Sequence, residues 1–163
     1  MERVDVYFSL GSNMGDREDM LETAVVMMND TFGTRARKVS RTIETKSWGF
    51  SGADFLNNCV MYRLKRMNAL TPSEHAHRIL EQVKRIERVL GRAEEALTDT
   101  EGRREYHDRP IDIDILFYGK ESISSDKLTI PHPLISERDF VKVPLREIAS
   151  PELCKTYPYI LEK

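Results

Sequence analysis

Asp112 and Asp114 are the two residues of this chain best placed by type and spacing to do chemistry. They lie in the run Arg-Pro-Ile-Asp-Ile-Asp-Ile-Leu-Phe-Tyr at residues 109–118, where Ile111, Ile113, Ile115 and Phe117 alternate with them. An apolar residue at every second position predicts a half-buried strand, with the isoleucines and Phe117 on one face and both aspartates on the other. Two residues along one strand face sit about 6.6 Å apart at Cα. Carboxylates so spaced can converge on one cation or flank a pair of them about 3.5–4 Å apart. Asp is a poor strand former, so a compensating partner is expected, and a metal carrying phosphate is the usual one.

Other residues suit the same chemistry. Arg92 and Arg109 bracket a charged stretch that also holds Arg103 and Arg104. Guanidinium groups bind phosphate oxygens in pairs, so arginines beside a diacid metal site point to a polyphosphate held between cations. For Arg103 and Arg104 a solvated loop is the better reading. His132 stands between Pro131 and Pro133, which stiffen the backbone around an imidazole that could contact phosphate. His75, His77 and His107 have no such constraint and read as surface residues. Glu87, outside the apolar stripe of its helix, reads on residue type alone as surface charge. The turn Gly11–Asp16 lacks the Gly-Lys-Ser/Thr ending of a phosphate-binding P-loop and reads as a tight strand-to-helix connection.

The elements that must position these residues follow from periodicity. Val4–Leu10 predicts a first strand, residues 16–30 a helix, 35–46 a weaker strand, and Phe55–Lys65 a stronger one. Thr71-Pro72-Ser73-Glu74 combines an N-cap, a proline at the first helical position and a capping-box glutamate. Ile79, Leu80, Val83, Ile86 and Leu90 form the stripe of that second helix, with Gly91 as its predicted stop. Residues 92–108 are expected to form a long charged loop able to fold over the site, followed by the strand at 111–117. The order β-α-β-β-α-β predicts an α+β fold of ferredoxin-like type, with a C-terminal extension. Its antiparallel sheet would carry both helices on one face and the active site on the other. Along strand 55–65, Leu56, Val60, Tyr62 and Leu64 would face the helices. Phe55 and Asn57 would share the aspartates' side, covered only by loops. Phe55 and Phe140 are each more often core residues than ligand platforms.

Bulk properties exclude several classes. The 163 residues fit one domain, 1–163, and 40% hydrophobic with 32% charged content describes an ordinary globular protein. A net charge of −2 argues against a nucleic-acid surface. Cys59 and Cys154 lack metal-ligand spacing. The N-terminus has no apolar h-region and no run approaches a membrane span, so a cytoplasmic location and no membrane partner are expected. A monomer is the expected state.

Taken in order, several stretches resemble one family. They are Leu10-Gly11-Ser12-Asn13-Met14-Gly15-Asp16-Arg17, Phe55-Leu56-Asn57-Asn58, Glu87 with Leu90-Gly91-Arg92, Arg109 through Leu116, and Ile130-Pro131-His132-Pro133 with Arg138-Asp139-Phe140-Val141. The set, spanning about residues 4–150, closely resembles the 6-hydroxymethyl-7,8-dihydropterin pyrophosphokinases of folate biosynthesis. The resemblance implies transfer of pyrophosphate from ATP to the pterin hydroxymethyl group, with release of AMP. It implies two magnesium ions on Asp112 and Asp114, a pterin stacked between Phe55 and Phe140, and Asn57 reading the pterin edge. The Thr45, Lys46 and Trp48 segment would complete that pocket. Arg92, Arg109, His132 and Arg138 match phosphate or nucleotide contacts, Arg92 and Arg109 as catalytic residues. Glu87, Lys127 and Ile115 match the nucleotide site. His107-Asp108 replaces the family's Gly-Pro before the strand, and Arg104 and Tyr106 are the loop's candidates. Two rivals share parts of this pattern. A nucleotidyltransferase also sets paired aspartates on a sheet, and would release pyrophosphate instead of AMP. An RNA-recognition module shares the element order but needs a basic, aromatic face where this chain puts two acids.

Overall fold

The computed structural model describes residues 2–46, 54–98 and 110–162, with the backbone alone at 92–98. Strand β1 (Arg3–Ser12) leads through a short turn to helix α1 (Arg17–Phe32). Asp16 caps α1 by accepting the Asp19 N–H at 3.0 Å, and Gly33, at φ 69°, ends it in the left-handed conformation that suits glycine. Two short strands follow, β2 (Lys38–Val39) and β3 (Ile43–Thr45), then the long β4 (Phe55–Lys65). Helix α2 spans Pro72–Thr98 and strand β5 spans Asp112–Tyr118. The capping box forms as its residues predict: Glu74 N–H donates to Thr71 Oγ1 at 3.1 Å and Thr71 N–H to Glu74 Oε1 at 2.9 Å. A small hairpin, β6 (Ile123–Ser124) and β7 (Thr129–Ile130), precedes helices α3 (Asp139–Ile148) and α4 (Pro151–Thr156).

The main sheet runs β2-β4-β1-β5, with β3 also on β4, and every pairing is antiparallel. With β2 and β3 counted as one interrupted strand, the order along the chain is the expected β-α-β-β-α-β of an α+β fold. The interruption has a local cause. Ser40 Oγ accepts the Cys59 N–H at 2.8 Å, where a ladder would use a backbone carbonyl. The register slips there: Val39 faces Val60, yet Ile43, four residues on, faces Asn57, only three back.

Apolar alternation on β1, β4 and β5 divides the core in two. Val4, Val6, Phe8, Leu10, Leu56, Val60, Tyr62, Ile113 and Ile115 pack against α1 and α2. Tyr7, Cys59, Met61, Leu116 and Phe117 pack on the opposite side against Ile135, Val141, Leu145, Ile148, Leu153 and Ile160. This second cluster corrects the expectation that only loops cover that face: the C-terminal segment roofs its far half.

Three further expectations are corrected. Phe117 lies on the roofed face, not with the isoleucines. Tyr7 pairs with Phe117 and Phe8 with Ile115, so Leu116 is an extra residue, a β-bulge that reverses the alternation after Ile115. Gly91 does not stop α2, which continues to Thr98. A Cβ at Gly91 would meet Pro110 Cγ at 3.8 Å, an ordinary contact, so the helix passes through this glycine without a steric demand for it. Residues 92–98 are therefore helical, and the remainder of the expected loop, 99–108, lies outside the described residues. His75 is buried, not on the surface, with Nδ1 and Tyr118 Oη 2.8 Å apart, and burial lowers its pKa. His77 is half-buried, its ring lying between Ser73 O and Ser125 Oγ at 2.7 Å from each.

Candidate functional site

The near half of the face opposite α1 and α2 brings most of the described candidates together. Gly11 of β1 pairs with Asn57 of β4 on one side and Asp112 of β5 on the other. One step along, Ser9 pairs with Cys59 and with Asp114 in the same way. Alternation puts Phe55, Asn57, Gly11, Asp112 and Asp114 on one surface, since Leu10, Leu56 and Ile113 point to the helices. Adjacent strands lie about 4.8 Å apart, so Asn57 and Asp112 flank Gly11 at about 10 Å from each other.

Gly11 makes this surface concave. A Cβ there would lie 2.9 Å from Asn57 Oδ1 and 3.4 Å from Phe55 Cδ1. Asn57 is nearly fully buried and donates through Nδ2 to Thr45 Oγ1 at 2.7 Å, which fixes its amide. Thr45 pairs directly with Phe55 across β3 and β4, and Lys46 follows, exposed. Trp48 lies outside the described residues.

The acid end has a distinct electrostatic character. Burial, then Asp112 and Glu87, push the Asp114 carboxyl up to about 7, with Lys84 and Arg138 opposing. Glu87 reaches this cluster from α2. Its Oε2 accepts the Ile113 N–H at 2.7 Å, occupying the outer side of the edge strand, and its Oε1 lies 3.1 Å from Lys84 Nζ. Burial and Asp112 push Glu87 up to about 7 as well. Burial disfavours the Lys84 ammonium, but Glu87, Asp112 and Asp114 outweigh it and raise its pKa. Glu87 is thus a largely buried acid joining helix to strand, not the surface charge that residue type suggests.

Two candidates come from the segment after β7. The His132 N–H donates to Leu116 O at 3.0 Å, and its Nδ1 accepts the Leu134 N–H at 3.2 Å. The neutral ring therefore carries its proton on Nε2. Burial and then Arg138 lower the imidazole pKa, against Asp112. Arg138 begins α3, with its guanidinium carbon 5.6 Å from the Phe140 ring centroid. It also acts on Asp114, so α3 presents a cation and a half-buried ring at the edge of the acid cluster.

Ile115 is packed in the helix-side core, 3% exposed. Lys127 is exposed in the β6–β7 turn, whose Ser125 Oγ lies 2.7 Å from His77 Nε2. His77 is ten residues, about 15 Å, along α2 from Glu87. Arg92 lies on α2 at a position where the backbone alone is described. Arg103, Arg104, Tyr106 and Arg109 lie outside the described residues.

Residue reasoning missed Lys84 and the steric role of Gly11. Lys84 had a signal: three residues before Glu87, it shares that residue's side of α2, off the apolar stripe. Gly11 had none, because its neighbours across the sheet are 46 and 101 positions away in sequence.

Among the described residues no group of three or more His, Cys, Asp or Glu side chains converges as a metal site. Two aspartates with their carboxyls crowded against Glu87 nevertheless form a surplus of negative charge that a divalent cation relieves, given other ligands from a bound phosphate. A sheet face with carboxylates at one end, a fixed amide and ring at the other, and cations at the rim has the chemistry to meet a metal-bound phosphate at one end and a planar polar ligand at the other. A model of the 7,8-dihydro-6-hydroxymethylpterin-pyrophosphokinase (HPPK) family matches residues 7–150. A 2-amino-4-hydroxy-6-hydroxymethyldihydropteridine pyrophosphokinase of Porphyromonas gingivalis is 42% identical over 146 residues, 88% of this chain and 90% of its own length. Enzymes of the same name from Aquifex aeolicus and Bacillus subtilis are each 37% identical, over 88% and 87% of this chain and 79% and 76% of their own lengths. The chain belongs to the HPPK family, and it is a pyrophosphokinase of folate biosynthesis that transfers pyrophosphate to hydroxymethyldihydropterin. Among the described residues no helix is long and apolar enough to cross a membrane.

Proposed function

We propose that the Asn57–Gly11–Asp112 row is the axis of the reaction, with the pterin at the Asn57 end and the triphosphate of ATP at the Asp112 end. The observation that carries this reading is the glycine between them, paired to both and too close to Asn57 to bear a side chain. Asn57, held by Thr45, offers a fixed amide to the pterin edge. Phe55 and Phe140 supply the two ring faces, and residues 45, 46 and 48 close the pocket.

At the other end Asp112 and Asp114 would hold magnesium, two ions with ATP, and the metal would supply neutralisation of the phosphate charge. The pterin hydroxyl oxygen forms a bond to the β-phosphorus, the bond from that phosphorus to the oxygen of the α-phosphate breaks, AMP leaves, and the hydroxyl proton is lost to solvent. Transfer of this kind rests on positioning and charge stabilisation. Arg92, Arg109 and Arg138 meet charge on the phosphates, and His132 donates through Nε2. Lys84 and Glu87 set the charge balance behind the aspartates, and Glu87 also anchors β5 at Ile113. Lys127 and the Ile115 backbone complete the nucleotide side. The enzyme acts as a cytoplasmic monomer.

Product analysis tests the reading. Asp112→Asn and Asp114→Asn are each expected to abolish AMP formation while leaving the circular dichroism spectrum unchanged. Near-wild-type turnover in either variant would sink the metal assignment. Release of inorganic pyrophosphate in place of AMP would sink the proposed bond cleavage.

A further inference from the structure

Arg17 stands at the first position of α1, directly after the turn that follows β1. Its Nη1 donates to Glu44 Oε2 at 2.7 Å and to the Asp54 carbonyl oxygen at 2.8 Å. Glu44 and Asp54 are the residues immediately before Thr45 and Phe55. Those two face each other across β3 and β4, and they are the Asn57-fixing hydroxyl and one aromatic wall. Glu44 pairs with Leu56, whose side chain lies in the helix-side core, so Arg17 grips the strand ends from the face opposite the pterin.

Helix stability does not account for an arginine there. A cation in the first turn opposes the helix dipole, and the other charges of that turn, Glu18 and Asp19, have the favourable sign. Nor does overall stability: the pair is partly exposed, at 31% for Arg17 and 54% for Glu44, where ion pairs contribute little. What the contact does is local. One guanidinium nitrogen ties a side chain on β3 to a main-chain oxygen at the start of β4.

We infer that Arg17 is a positioning residue for pterin recognition, holding the Thr45 and Phe55 strand ends in the spacing that the ring requires. This rests on the pterin lying at the Asn57 end. Removing the clamp leaves those ends to be ordered by the ligand, so the loss falls on pterin binding and not on ATP.

Arg17→Met, which keeps the stem and removes both bonds, tests this beside Arg17→Lys and Glu44→Gln. Calorimetry with 6-hydroxymethyl-7,8-dihydropterin and, separately, with a non-hydrolysable ATP analogue gives the two affinities. Trp48, the single tryptophan and four residues from Glu44, gives a readout independent of activity through its emission and anisotropy. In Arg17→Met the pterin dissociation constant is expected to rise three- to tenfold, the upper figure equivalent to about 1.4 kcal/mol. The ATP analogue stays within about twofold, on the same scale. The Trp48 signal shifts, Lys restores part of the affinity, and Glu44→Gln gives a smaller rise. Equal weakening of both ligands alongside a lowered melting temperature would make Arg17 merely structural. Unchanged pterin affinity in both Arg17→Met and Glu44→Gln would also overturn the inference. A wild-type protein that binds the ATP analogue but no pterin would overturn the underlying site assignment as well.

Discussion

Replacing Gly11 by alanine separates the site from the fold. The new Cβ would sit 2.9 Å from Asn57 Oδ1, about half an ångström inside ordinary contact. Asn57 cannot yield easily, being 6% exposed and bonded to Thr45 at 2.7 Å. Overpacking of this kind costs about 1–3 kcal/mol. Alanine recovers about 0.5–1 kcal/mol of the backbone entropy that glycine loses in a strand. The net loss of stability is then at most about 2.5 kcal/mol, a fall of no more than about 10 °C in melting temperature for a chain of this size. The effect on the ligand is larger. An amide pushed off its mark leaves one or two polar groups of the pterin edge unpaired, at about 1.5–3 kcal/mol together, or about 10- to 100-fold in affinity. Scanning calorimetry and separate titrations of pterin and ATP analogue on Gly11→Ala read both quantities. Pterin affinity within twofold of wild type, or a loss shared equally by the ATP analogue, refutes the steric argument.

The acid cluster gives a pH signature. Asp114 and Glu87 are both pushed up to about 7, so the folded protein binds protons more tightly than the unfolded chain, and metal-free stability falls as pH rises towards and through about 7. Asp114→Asn is expected to be more stable than wild type by about 1–2 kcal/mol at about pH 8, and to lose that advantage at about pH 4. Denaturant titrations at the two pH values check it, and a variant less stable at the higher pH contradicts the sign. Magnesium chloride should accordingly stabilise the wild-type protein more at the higher pH. Phe140→Ala should weaken pterin binding far more than ATP-analogue binding, because the ring lies at the rim while the acids are untouched; parallel losses in the two titrations would argue against a stacking role.

Much of the placement of the candidate residues was legible because its signals are local. The Ile–Asp alternation in 111–115 sets the face of both acids, and the reciprocal Thr71–Glu74 bonds form where the capping motif lies. What was hidden depended on distant partners. Gly91 looks like a helix stop, yet α2 runs through it to Thr98. Glu87 looks like surface charge until the edge of β5 arrives to bury it and to donate the Ile113 N–H. Phe117 continues the isoleucine alternation perfectly well as text. Only the apolar roof from the C-terminal segment favours turning Leu116 and Phe117 together to the other side.

That bulge at Leu116 does more than change sides. Being surplus to the ladder with β1, Leu116 has a carbonyl at liberty, and this carbonyl is the one that receives the His132 N–H. The same reversal offers Leu116 and Phe117 as a landing for Val141 and Leu145, and so for the helix that carries Arg138 and Phe140 to the rim. A single inserted residue thus converts one strand from an acid-bearing surface into a mooring. The chain after residue 129 is berthed by a strand that has already delivered its two acids.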